Sequence, residues 1–193
     1  MTRRGFALLS LAALGRPAST KVDVAVIGGG TGGCAAALAA LRAGRRVLLT
    51  EETVWIGGQL TSQAVPPDEH PWIESFGGTE LYRRYRDGVR AYYRRHYPLT
   101  AEARAVAHLN PGNGSVSRIT HEPRVSLAVL EAMLAPYLAS GQLILWLRHR
   151  PVATETSGAT ISTVRLRALD TGAEQEVQAR IFIDCTEQGD LLP

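Results

Sequence analysis

The chain is poor in cysteine: Cys34 and Cys185 are the only two in 193 residues, and neither stands in a CxxC or in the spacing of metal ligands. That excludes a dithiol redox centre and a structural zinc site from the chemistry of this stretch. Histidine is sparse too, and His70, His96, His108, His121 and His149 show no metal spacing. No apolar run reaches the roughly 20 residues needed to cross a bilayer, so no integral membrane segment is expected. A strong charge of one sign is also missing. The net charge is +3, spread along the chain, and does not argue for nucleic acid as a partner. Lys21 is the single lysine. What is present, 45% hydrophobic and 20% charged residues, suits a globular chain with one sizeable core.

The N-terminus reads as an address. Arg3 and Arg4 precede a short apolar stretch without acidic residues, with Phe6 two places on. This fits a twin-arginine export signal, with Ala13-Leu14-Gly15 as a candidate cleavage site. That route carries proteins already folded around their cofactor, and it implies a periplasmic location. A plain extension on a cytoplasmic protein is the alternative. Residues 1–20 are set apart from the fold on either reading.

Residues 21–62 carry a βαβ pattern. Lys21–Ile27 is a buried strand ending in glycines, Thr31–Ala43 a helix stopped by Gly44, and Arg46–Thr50 a second strand. Residues 63–120 form an inserted helical and loop segment, with Pro and Gly turns around one clear helix from Thr79 to His96. Residues 121–193 continue the first unit: a helix over Arg124–Ala139, a strand over Leu143–Leu147, and a hairpin of Ile161–Ala168 with Glu174–Ala179. Arg180–Asp184 reads as a further strand. The fold class is α/β, Rossmann-like, with a β-hairpin and an inserted helical segment.

Between the first strand and the first helix runs Gly28-Gly29-Gly30-Thr31-Gly32-Gly33, a GxGxxG of Gly28, Gly30 and Gly33. Gly28 permits the tight turn, Gly30 lets a pyrophosphate approach the backbone, and Gly33 lets helix and strand pack closely. The phosphates then meet backbone N–H groups, those of Thr31 and Gly32 among them, and the positive end of the helix dipole. An acid about twenty residues on completes the pattern by accepting a ribose 2′-hydroxyl. Glu51, directly after the second apolar run, holds that place, with Glu52 as its neighbour and alternative. A carboxylate there disfavours NADP. Thr50 departs from the pattern, since an apolar residue is expected in a buried strand.

Spacing alone leaves NAD and FAD both open. The residues after Glu51 decide: in Val54-Trp55-Ile56-Gly57-Gly58-Gln59-Leu60-Thr61 the sequence resembles flavoproteins of the glutathione-reductase-like superfamily. In them a Gly-Gly pair lets the chain pass the flavin side of the cofactor. Phe182-Ile183-Asp184-Cys185-Thr186-Glu187-Gln188-Gly189-Asp190-Leu191 is similar to the D-A-T-x-x-G-D-L segment of bacterial FAD-dependent oxidoreductases, with Cys185 in place of alanine. Leu109–Asn113 through His121–Val125 resembles the same family. The resemblance implies an FAD-dependent oxidoreductase that passes hydride through the flavin N5 to or from a small-molecule substrate. It implies cofactor contacts from Gly28, Gly30, Thr31, Gly32, Gly33, Glu51, Gly57, Gly58, Gln59, Gly189 and Asp190. Family members run well beyond 193 residues, so an incomplete domain is expected here. Two other readings stay open: a non-catalytic FAD-binding fragment or degenerate paralogue, and an NAD-binding dehydrogenase unit. In this fold Cys34 and Cys185 come near each other, and a disulfide between them is one option.

The helix around 81–97 places Leu81, Tyr85, Val89, Tyr92, Tyr93 and Tyr97 on one face and Arg83, Arg84, Arg90, Arg94 and Arg95 on the others. This is the pattern of an amphipathic helix with a solvated basic side, favoured over the alternative of a nucleic-acid surface that interleaved aromatics could suggest. No catalytic residue is identified. His121 and Arg124 are the ones to watch, and His121-Glu122-Pro123-Arg124 reads first as the start of a helix.

Overall fold

The computed structural model describes residues 19–192. The twin-arginine pattern at Arg3 and Arg4 lies outside them. Six strands form one sheet in the order β3-β2-β1-β6-β5-β4. Strands β1 (Ser19–Ile27), β2 (Val47–Glu51) and β3 (Leu143–Leu147) are parallel. Strand β6 (Glu174–Asp184) runs parallel to β1 on one side and antiparallel to β5 (Thr160–Ala168) on the other. Strand β4 (His149–Ser157) closes the antiparallel edge against β5.

The alternation of side chains along the strands divides the apolar residues between the two faces. Val24, Val26, Val47 and Leu49 join one buried cluster with Leu38 and Leu41 of α1 (Thr31–Arg42) and with Val125, Val129 and Leu134 of α4 (Pro123–Ala139). Ala25, Ile27 and Leu48 join a second cluster with Val164, Leu166, Val177 and Leu191.

Helix α2 (Glu80–His96) forms where the sequence predicts it. The Thr79 hydroxyl accepts from the Tyr82 N–H at 3.2 Å, Glu80 stands in the first turn, and Arg94, Arg95 and His96 occupy the last. Tyr85, Val89 and Tyr93 repeat at helical spacing and enter the same cluster as Val26, so the segment 63–120 shares its core with the βαβ unit. Gly88 marks the crossing with α4, where an added Cβ would lie 2.7 Å from Val129 Cγ1.

The structure differs from the sequence pattern at three points. Glu174–Ala179 and Arg180–Asp184 are one continuous strand, because β1 pairs along nearly all of it. Strand β4 and the short helix α3 (Ala101–Ala105) form without a clear pattern in the sequence. Arg90 is buried together with Arg86. Arg86 pairs with Glu69 and Glu74, and Arg90 pairs with Glu74 and donates to the Leu109 carbonyl at 3.1 Å. His108 Nδ1 stands 3.0 Å from the same Glu74. Paired in this way, buried guanidiniums are sustainable; helical periodicity alone would put Arg90 in water. Among the described residues, no helix is long and apolar enough to cross a membrane.

Candidate functional site

The glycine turn is held by close backbone approaches. Gly28 has φ +102°, and a Cβ there would lie 2.2 Å from the Cys185 carbonyl oxygen. A Cβ on Gly33 would lie 1.9 Å from the Gly28 carbonyl oxygen. The two glycines let α1 and the end of β6 close on the end of β1. Gly30 is the N-cap residue of α1 and supplies no side-chain cap, so the first-turn amides face outward. Thr50 now has its explanation: it is buried at the end of β2 and its hydroxyl accepts from the Gly28 N–H at 3.2 Å.

Glu51 ends β2 and is 8% exposed. Its Oε2 accepts from the Gly29 N–H at 3.0 Å and its Oε1 from the Thr53 N–H at 2.8 Å. The carboxylate is thus oriented by backbone donors, and each oxygen keeps a lone pair for a further hydroxyl.

The second glycine pair is fastened to the first. Gly57 N–H donates to the Gly29 carbonyl at 2.7 Å, and the Thr31 hydroxyl donates to the Gly57 carbonyl at 2.9 Å. Gly57 and Gly58 have φ of +105° and +49°, and a Cβ on Gly58 would lie 3.0 Å from the Gly30 Cα. Gln59 is half-buried in the 3-10 turn that follows, its carbonyl accepting from the Val65 N–H.

The segment after β6 is organised by Asp184. Its carboxylate accepts from the Thr186 N–H, the Thr186 hydroxyl and the Leu191 N–H at 3.0, 2.7 and 2.9 Å. Burial works to raise its pKa, but these bonds hold the carboxyl below the usual aspartate range. Gly189 turns the chain at φ +74°, and the Asp190 N–H donates to the Thr186 hydroxyl at 2.8 Å.

These elements frame a cleft of about 790 Å³. It runs from Glu51, Glu52 and Thr53 beside the start of β4, across Gly28 and Gly30, to Gly58, Gln63 and Glu187. Of the residues named from the sequence, Gly28, Gly30, Glu51, Gly58 and Asp190 line it. Thr31, Gly33, Gly57 and Gly189 act one layer back, through the bonds and close approaches above, while Gly32 has open space on its Cβ side. The walls also include His149, Arg150, Arg167 and Glu187, which no sequence motif singles out.

Both cysteines are free thiols. Cys34 is buried, donates to the Gly29 carbonyl at 3.3 Å, and burial pushes its thiol up to about 12. Its burial and its bond to Gly29 make it part of the packing beneath the glycine turn. His121 lies in a separate hollow of about 520 Å³ near Tyr93 and Tyr97. Burial lowers its pKa, and its Nε2 meets the Tyr85 hydroxyl at 2.9 Å, which ties the start of α4 to α2.

A parallel βαβ core with a glycine turn, an acid closing the second strand and a cleft across both defines a Rossmann-like dinucleotide-binding domain. The family model described as FAD dependent oxidoreductase matches residues 23–193, and the chain belongs to that family. Its cofactor is FAD. No curated protein matches the sequence. Among solved structures, the chain is similar to Sdh1 of Mycobacterium smegmatis in complex with UQ1, at 13% identity and TM-score 0.56, over 88% of this chain and 34% of that one. It is similar to FrdA of Escherichia coli quinol fumarate reductase at 14% identity and TM-score 0.51, over 88% and 33%. The myxobacterial FAD-dependent halogenase CndH is similar at 17% identity and TM-score 0.50, over 88% and 39%. At these identities the likeness concerns the fold. The chain spans between 23% and 39% of the length of the first three structures it matches.

Proposed function

We propose that residues 21–192 hold FAD in an oxidoreductase that transfers hydride to or from a small-molecule substrate. The observation that supports this most is the cleft itself. A backbone-oriented carboxylate stands at one end, uncapped helix amides lie at its middle, and a second glycine pair is fastened to the first at the other end. Glu51 takes the ribose hydroxyls with its free lone pairs. The amides that open α1 take the pyrophosphate, helped by the helix dipole. Gly30 puts no side chain of its own in this path; among the described residues, the nearest atom to its Cβ position beyond its chain neighbours is Glu187 Oε1 at 3.7 Å. Gly58 and Gln59 carry the chain past the flavin end, and Gly189 and Asp190 close the turn beside it. Bound FAD supplies the hydride acceptor at N5. The protein's part is to hold and orient it.

The test uses the full-length protein purified without added flavin. Flavin absorbance, or reconstitution with FAD in preference to NAD, is the expected outcome. Gly30→Val should abolish binding, because a branched side chain fills the pyrophosphate path. A protein that takes up NAD tightly and no FAD overturns the reading. A flavin that binds and is reduced by no donor restricts the function to binding.

A further inference from the structure

Glu187 has no role in the scheme above, yet its carboxylate stands in the middle of it. A Cβ on Gly30 would lie 3.7 Å from Glu187 Oε1, and a Cβ on Gly58 would lie 3.8 Å from the same atom. The carboxylate therefore sits over the gap between the two glycine pairs, facing the end of α1 that opens at Gly30. Among the described residues, its one side-chain partner is a neutral amide, Gln63 Nε2, at 3.3 Å. Glu187 itself is exposed and follows the sharply organised Asp184–Thr186 segment, so its backbone is fixed while its side chain has room to turn.

We propose that the Glu187 carboxylate and the cofactor pyrophosphate compete for the same place, and that FAD binds only as Glu187 swings away from Gly30. The inference rests on the FAD reading above. A helix N-terminus favours negative charge, and a carboxylate of the protein satisfies that preference as a phosphate does. Two anions drawn to one place repel, more strongly in a protein cleft than in bulk water. The single Gln63 contact is a weak tether, so the displacement is feasible, but its cost is drawn from the affinity for FAD. Glu187 thereby sets how tightly any phosphate-bearing ligand is held, and leaves ligands without phosphate untouched.

Full-length protein stripped of flavin is titrated calorimetrically with FAD, ADP and adenosine, for the wild type, Glu187→Gln and Glu187→Ala. The expected result is that both variants bind FAD and ADP about tenfold tighter, as removal of one close like charge implies. Adenosine binding should be equal in all three proteins. Unchanged or weaker FAD binding in both variants overturns the proposal, and weaker binding would assign Glu187 to a cofactor hydroxyl instead. Equal tightening toward adenosine also overturns it, since the effect would not be electrostatic at the phosphates. If the wild type binds neither FAD nor ADP, the cofactor reading falls and this one falls with it. If the wild type binds both and the variants do not differ from it, only the present proposal fails.

Discussion

Replacement of Glu51 by alanine separates the observed bracing by its carboxylate from the cofactor contact proposed for it. The side chain accepts from the backbone of Gly29 at 3.0 Å and of Thr53 at 2.8 Å, so it braces the glycine turn against the strand beside it. Each donor left without a partner costs about 1–3 kcal/mol, and charged acceptors lie toward the upper end. Water reaches part of this site once the side chain is gone, so a loss of about 2–3 kcal/mol of folding stability is expected for Glu51→Ala without FAD. The proposed ribose contact would be a separate loss of about 2 kcal/mol, or roughly 30-fold in affinity. Glu51→Gln keeps one oxygen acceptor but offers an amide N–H to the other backbone donor, so it should lie between alanine and the wild type in both properties. Urea unfolding of flavin-free protein reads the first term, and fluorescence titration with FAD reads the second. If Glu51→Ala loses stability as expected but binds FAD like the wild type, the carboxylate is a strut alone and the assignment of the ribose end is refuted.

Other perturbations act on distinct parts of the molecule. Gly33→Ala sets a Cβ 1.9 Å from the Gly28 carbonyl oxygen, a backbone atom that has no rotamer to escape into. The overpacking should cost about 1–3 kcal/mol or more, seen as a fall in Tm together with weaker FAD binding. An unchanged Tm would contradict the packing described for α1. Arg86→Met leaves Glu69, whose side chain is 1% exposed, without its guanidinium partner, and should cost about 3–5 kcal/mol by denaturant unfolding. Adding Glu69→Gln should recover part of that loss, and a double variant no better than the single would show that the pair is not coupled. For localisation, we propose export through the twin-arginine pattern. Lysine in place of both Arg3 and Arg4 should leave the protein in the cytoplasm on fractionation, and equal export of both forms would assign an ordinary secretory signal.

The legibility of the fold followed the strength of its periodic signals. The glycine turn and its flanking strand and helix were readable because each demands residue types that few other structures require. Helix α2 was readable because Tyr85, Val89 and Tyr93 recur at helical spacing between Thr79 and a basic last turn. The buried state of Arg86 and Arg90 was not, because it depends on Glu69 and Glu74, which a Pro- and Gly-rich loop brings back against the helix. Strand β4 escaped for a related reason. His149–Ser157 is an edge strand with mixed exposure, two register irregularities and a proline, so no two-residue alternation runs through it. At the site, Thr50 departs from an apolar strand pattern because its hydroxyl accepts the Gly28 N–H, a contact that no strand periodicity encodes. Glu187 stands at a variable position of the D-A-T-x-x-G-D-L resemblance, which assigns it no role, and its place over Gly30 is set by the turn around Asp184.

The central position of β6 has a consequence for the order of assembly. Its pairing with β1 joins Ser19 to Glu176 and Ile27 to Asp184, the largest sequence separations in the sheet. Until Glu174–Asp184 have been synthesised, one edge of β1 lacks this partner, and the wall of the cleft formed by Cys185 and Thr186 does not exist. Non-local pairing of this kind makes folding slow, because loop closure must precede the contacts that reward it. The nascent βαβ unit therefore waits with an open strand edge, a state prone to mispairing and suited to chaperone protection. On the proposed reading, flavin that meets the chain before β6 pairs finds only part of its site, so capture would follow that pairing and stabilise it by mass action.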